Sequence, residues 1–145
     1  MRYFYIEPEV AGGLGKSTVM DADKHPPVVK DLNYELDGWL GDAILESFPS
    51  FIVTEKAKDE LLKIGVTGVE FKDVKITTSI IFNEMYPNVR LPVFLWMLPT
   101  GKAGIDDVSV EVDGRLVVSQ RVLDSLAALN LENADVYPWI SQDSS

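Results

Sequence analysis

The chain has 145 residues, 46% of them hydrophobic, which is enough for one substantial core and short for two domains. Its 23 acidic and 13 basic residues leave a net charge of −10, and this argues against general nucleic-acid binding, which needs Lys and Arg to displace phosphate counterions. The absence of cysteine removes disulfides, zinc-thiolate sites and thiol nucleophiles together, and no apolar run approaches the length of a membrane span.

Residues 2–6 set Tyr3 and Tyr5 against Phe4 and Ile6 and predict a strand with both faces partly covered, limited by Pro8. Glu7, Pro8 and Glu9 also interrupt any apolar signal-peptide core, so a cytoplasmic location is expected. The stretch Ala11-Gly12-Gly13-Leu14-Gly15-Lys16-Ser17-Thr18 looks at first like a phosphate-binding loop. The pattern G-x-x-x-x-G-K-[ST] requires glycine where Val10 stands, and Pro26 and Pro27 follow where a helix would have to aim its amides at phosphate. A flexible glycine-rich loop is therefore expected, with no nucleotide site and no cofactor. His25 is the only histidine; it lacks partners at a recognisable spacing and reads as a loop residue. Leu32, Tyr34 and Leu36 alternate with Asn33 and Glu35 and predict a half-buried strand over 31–37. Asp37-Gly38 turns the chain. Trp39, Leu40, Ile44 and Leu45 then suggest a short amphipathic helix ended by Pro49, with Trp39 either a core anchor or an interface residue.

The chain next writes one pattern twice. Residues 51–71 and 116–136 align without a gap at an offset of 65 residues, pairing Thr54 with Ser119, Lys56 with Arg121, Asp59 with Asp124 and Leu61 with Leu126. Each copy reads as a strand, a helix and a second strand. Phe51-Ile52-Val53 and Leu116-Val117-Val118 are strand-like apolar runs. Thr54 and Ser119 stand where a side-chain oxygen caps the first helical turn. Ala57, Leu61 and Ile64, like Val122, Leu126 and Leu129, recur at helical spacing, and Gly65 and Asn130 follow as residues suited to a left-handed helix end. Between the copies, residues 72–77 alternate as a strand, and 80–86 predict a short helix stopped by Pro87. Residues 93–98 predict a central strand with Trp96 in the core, and 100–107 a polar glycine-bearing loop. Val108, Val110 and Val112 alternate as a strand, and Asp113-Gly114 signals a hairpin into the second copy. The expected fold is a single α+β domain over residues 1–140. It should have a mixed or antiparallel sheet, two repeated strand-helix-strand units and short extra helices, with a disordered polar tail at 141–145.

The acidity is uneven. Asp31, Glu35, Asp37, Asp42, Glu46 and Glu55 fall in a stretch without a basic residue, and so do Asp106, Asp107, Glu111 and Asp113. Such blocks are either docking surfaces for a basic partner or solvated faces. The candidate partner-binding residues are Asp31, Glu35, Asp37, Trp39, Asp42, Glu46, Asp106 and Asp107. An alternative uses the pairs Asp37 with Asp42 and Asp106 with Asp107 as acid and base of a carboxylate hydrolase, although their spacing matches no known metal loop.

An ordered set of motifs resembles the immunity proteins of bacterial polymorphic toxin systems. It comprises Tyr34-Glu35-Leu36-Asp37-Gly38-Trp39-Leu40-Gly41-Asp42, Pro49-Ser50-Phe51-Ile52-Val53-Thr54, Thr67-Gly68-Val69-Glu70-Phe71, Leu91-Pro92, Gly101-Lys102-Ala103-Gly104-Ile105-Asp106-Asp107 and Leu116-Val117-Val118-Ser119. The resemblance implies a cytoplasmic α+β protein that binds and neutralises a cognate toxin, whose basic charge would suit the acidic stretches. No catalytic residue is carried over with it, and no metal, cofactor, nucleic acid or membrane is expected as partner. A generic interaction or regulatory module without a toxin is a further alternative, from another class.

Overall fold

The computed structural model describes residues 2–24 and 26–140, so the readings of His25 and of the 141–145 tail lie outside the described residues. The elements in chain order are β1 (Tyr3–Glu7), β2 (Gly12–Leu14), β3 (Val19–Asp21), β4 (Val28–Asp31), β5 (Asn33–Leu36), β6 (Ile44–Ser47), β7 (Ser50–Thr54) and α1 (Glu55–Lys63). There follow β8 (Val69–Asp73), β9 (Lys75–Thr78), α2 (Ile80–Met85), β10 (Phe94–Pro99), β11 (Val108–Val110), β12 (Leu116–Ser119), α3 (Gln120–Leu129) and β13 (Asp135–Trp139). This is an α+β fold of several mostly antiparallel sheets and three helices. No helix among the described residues is long and apolar enough to cross a membrane.

The repeat forms as its residues dictate. Thr54 Oγ1 accepts from the Ala57 N–H at 3.1 Å and Ser119 Oγ from the Val122 N–H at 3.4 Å, so each hydroxyl ends a strand and starts a helix. The equivalence runs further than the sequence pattern. Each unit sits in a four-stranded sheet, ordered β6-β7-β10-β8 in one and β11-β12-β1-β13 in the other. Thr54 faces Phe94 and Phe51 faces Met97, while Ser119 faces Tyr3 and Leu116 faces Ile6. On the far side Met97 faces Phe71 and Ile6 faces Val136, again residues that the repeat aligns. A strand from ahead of each unit is thus lodged in the sheet of the other: β1 lies between β12 and β13, and β10 between β7 and β8.

One core joins the two units. It holds six matched pairs, Ile6 with Met97, Ile44 with Val108, Phe51 with Leu116, Val53 with Val118, Ala57 with Val122 and Leu61 with Leu126, all buried. The outer faces of the two sheets are treated differently. Leu45, Ile52, Phe94 and Trp96 on the first are buried under the sheet β2-β5-β9 and α2, through Tyr34, Leu36 and Phe82. The second is closed by its own side chains. Tyr3 meets Trp139 edge-on at 5.6 Å, the Arg115 guanidinium lies 4.2 Å from the Tyr5 ring centre, and Trp139 Nε1 donates to Glu111 Oε1 at 2.9 Å.

Six local expectations are corrected. Residues 44 and 45 form β6 and no helix forms at 39–45, because Ile44 and Leu45 are buried in different cores, which neighbouring residues achieve only in a strand. Residues 12–14 are a strand, not a flexible loop. A Cβ on Gly12 would lie 1.9 Å from the Glu35 carbonyl oxygen and one on Gly15 2.1 Å from Asn33 Oδ1, so these glycines serve close approach. The strand expected over 31–37 divides at Leu32, and that over 72–77 divides at Val74, each sending its parts to different sheets. Val112 lies exposed in the hairpin loop beyond β11. Gly65 does take a left-handed φ of 69°, but Asn130 is extended, its carbonyl accepting from the Ala43 N–H at 2.8 Å.

Candidate functional site

Two of the acidic candidates are structural. Asp107 is buried just before β11. Its Oδ1 accepts from Ser119 Oγ at 2.7 Å and Arg121 Nε at 2.8 Å, and its Oδ2 accepts from the Thr67 N–H at 2.9 Å and from Arg121 Nη2. The Arg121 guanidinium, helped by Ser119 and Thr67, holds this carboxyl far below its ordinary value against the opposing effect of burial. Arg121 Nη1 also donates to the Ile64 carbonyl at 2.7 Å, at the end of α1. Asp42, the matching residue at the 65-residue offset, is buried before β6, and its two oxygens accept from Asn133 N–H and Nδ2, both at 2.9 Å. Each aspartate therefore clasps the segment that follows the helix of the other unit. Their burial removes both from the docking surface proposed by sequence and commits one member of each hydrolase pair to the fold. Asp106 Oδ2 is likewise engaged, accepting from the Lys102 N–H at 2.8 Å within its loop.

The remaining candidates are distributed. Asp31 on β4 and Glu35 on β5 are exposed and separate from the rest. Asp37 and Trp39 share a groove with Glu9, Val10, Leu40 and Tyr86. Trp39 is half-buried, edge-on to Phe94 at 5.8 Å, and its Nε1 donates to the Asp42 carbonyl at 3.0 Å, so it is anchored as core and still lines the groove. Glu46 lines a second groove with Glu7, Glu9, Val10, Phe48, Asp113, Arg115 and Asp135. Glu9 and Val10 belong to both, which makes the two grooves one surface at the junction of the two sheets.

The backbone beneath is pinned from several sides. The Glu46 N–H donates to the Glu9 carbonyl at 2.9 Å, and the Asp37 N–H to the Ala11 carbonyl at 2.8 Å. From the second core, the buried Tyr34 hydroxyl donates to the Glu46 carbonyl at 2.8 Å and accepts from the Ala11 N–H at 3.1 Å. Burial, only partly offset by that contact with Ala11, pushes the phenol up to about 12, so it stays a donor.

The surface itself is electrostatically frustrated. Burial, then the neighbouring Glu7, pushes Glu46 up to about 7. Burial, then Asp42, raises Glu9, whose Oε2 is buried without a hydrogen-bond partner among the described residues. Glu7 and Asp135 stand directly opposite one another across β1 and β13, an arrangement that like charges destabilise. Arg115 is the one cation lining either groove among the described residues, and it is paired with Asp113 at 2.8 Å. Among these carboxylates Val10 is 66%, Leu40 60% and Phe48 48% exposed, large apolar groups that a solvated face has no need to display. The arrangement is suited to receiving a cationic, partly apolar protein surface. Sequence reading named Asp113 only within an acidic block and missed Glu7, Glu9 and Asp135. Their charges are isolated along the chain, and only the long-range pairing of β1 with β13 gathers them; the Glu-Pro-Glu run at 7–9 was the available signal. A scan of protein-family models and a search of curated proteins return no match to this chain.

Proposed function

We propose that this protein is an immunity protein: it binds a basic cognate toxin through the acidic and apolar surface around Glu9 and Val10 and neutralises it by occlusion, in the cytoplasm. The observation that carries the reading is the gathering of Glu7, Glu9, Asp37, Glu46, Asp113 and Asp135 around exposed Val10, Leu40 and Phe48, with one cation already committed. Apolar anchors inside a charged rim favour association by steering and hold by burial. The motif resemblance supports the same class of activity. In the hydrolase alternative, one member of each carboxylate pair, Asp42 and Asp107, has both oxygens engaged by donors of the fold.

The test is to read the frame directly upstream of this gene and co-express its product with this protein. Protection of cells, a purified complex, and an on-rate that falls when salt rises from about 0.05 to 0.5 M are expected, because screening acts on long-range steering first. Reversing Glu7 and Asp37 to lysine should abolish protection. Protection that survives the reversal, or an adjacent frame that is harmless to unprotected cells, removes the reading.

A further inference from the structure

The acidic groove has a counterpart elsewhere in the molecule. Ile6, Glu7, Pro8 and Glu46 line it. Met97, Leu98, Pro99 and Val110 line a second groove, at the exit of β10, and strand register matches the two sets one to one. Both grooves lie against the β6–β7 and β11–β12 hairpins, whose tips touch: a Cβ on Gly114 would lie 2.6 Å from the Phe48 ring. At the β10 exit one wall is supplied by the chain's own Pro26, Pro27, Val28 and Val29, a proline pair leading into β4. At the β1 exit that wall is missing, and two of the apolar positions have changed character: Leu98 is replaced by Glu7 and Val110 by Glu46.

We propose that the groove at the β1 exit takes an extended segment of the partner protein carrying a Lys or Arg side chain, which supplies the wall that residues 26–29 supply at the β10 exit. This deepens the docking reading above and rests on it. The walled groove shows the backbone form that can close this side, an extended segment led by prolines. The exchange of Leu98 and Val110 for carboxylates sets the side chain, because an apolar segment would bury Glu7 and Glu46 unpaired. A cation at this point lies between Glu7 and the opposing Asp135 and relieves their repulsion, and the buried Glu9 Oε2 gains a donor. Arg115 shows that the neighbouring aromatic face accepts a guanidinium, since it already rests on Tyr5.

The proposal is tested by titrating the ¹⁵N-labelled protein with a capped hexapeptide of sequence Pro-Pro-Arg-Val-Lys-Val, and with its counterpart in which glutamine replaces both cations, at about 0.15 M salt. The cationic peptide should shift amides at 7–10, 46–48, 113–115 and 133–135, and the neutral one should not. Glu7→Gln with Glu46→Gln should weaken binding about tenfold, and Asp135→Asn alone should weaken it less, each variant's spectrum reporting that it is folded. Equal binding of both peptides, shifts centred on Asp31 and Glu35, undiminished affinity in the double variant, or no shift at all would each overturn the proposal. This readout involves no toxin, so its failure is separable from failure of the protection assay.

Discussion

The two halves of the molecule answer one architectural problem in two ways. Both sheets bury one face in the shared core, and each has an outer face to dispose of. The β6-β7-β10-β8 sheet hides Trp96 and Phe94 beneath a second layer made from the chain between β1 and β6 and between β8 and β10. The β11-β12-β1-β13 sheet has no such layer; Tyr3, Tyr5, Arg115 and Trp139 fold over Ser109 and Val117 instead. The difference teaches that the added layer is what converts a symmetric frame into an asymmetric surface. Where it lies, the β10 groove is walled and apolar; where it is absent, the β1 groove is open and acidic.

The largest expected effect sets the two outer faces against each other. Trp96→Ala, which empties the layered half, should cost about 3–5 kcal/mol, whereas Tyr5→Ala, on the half-exposed aromatic lid, should cost less than half of that. Urea denaturation of both variants measures it, and equal losses would mean that the lid packs like a second core. Leu61→Ala and Leu126→Ala probe the symmetric part, and each should cost about 2–5 kcal/mol in the same assay. A large loss for one with none for the other would break the equivalence of the units.

The clasps come next. Asp107→Asn should cost about 1–3 kcal/mol near neutrality, because Arg121 and Ser119 lose a charged acceptor. Since the native carboxyl is held below its unfolded value, its contribution is complete above about pH 4 and disappears as pH falls through the depressed native value. Acid titration of unfolding should therefore be flatter in Asp107→Asn than in the parent, and an unchanged slope would show the clasp to be energetically idle. Replacing the caps Thr54 and Ser119 by alanine should cost about 0.5–2 kcal/mol, with Ser119 at the upper end because its hydroxyl also serves Asp107.

The smallest effect belongs to the open groove. Glu46 binds its proton more tightly in the native state, so its contribution is full at low pH and is lost as pH rises through about 7. Glu46→Gln should raise Tm at pH 8 by the equivalent of about 1 kcal/mol, a figure reduced for solvent screening, and leave it unchanged at pH 5. A shift of equal size at both pH values would assign the effect to packing and not to charge.

What the sequence made legible is what local chemistry encodes. A Thr or Ser between a β-branched run and an apolar helical stripe states its own structure, and the strand, cap and helix of both units form as read. Asp42 and Asp107 illustrate the limit. Along the chain they are surface-like acidic residues in acidic stretches, and only the chain crossing that brings Asn133 to one and Thr67 to the other turns them into buried acceptors. Ile44 and Leu45 fail for a related reason: two adjacent apolar residues suit a helix face as well as a strand with a core on each side, and the second core is built from Tyr34 and Phe82, distant in sequence. The groove was half legible. Asp37, Trp39 and Glu46 were found, but Glu7 and Asp135 become neighbours only through the pairing of β1 with β13.

That exchange of leading strands also governs how the protein can be made. β10 is synthesised after β7 and β8 and finds both partners waiting, whereas β1 is translated well before β12 and β13 and stays without a mate until they are made. Pairing at such separation is slow. Throughout translation Tyr3, Phe4, Tyr5 and Ile6 form a bare, β-prone apolar strand, the kind of segment that recruits the wrong neighbour. Glu7 and Pro8 follow it at once, a charge and a residue lacking an amide proton, and both discourage strand addition at that end. The acidic residue that opens the groove in the finished protein thus also shields the nascent chain.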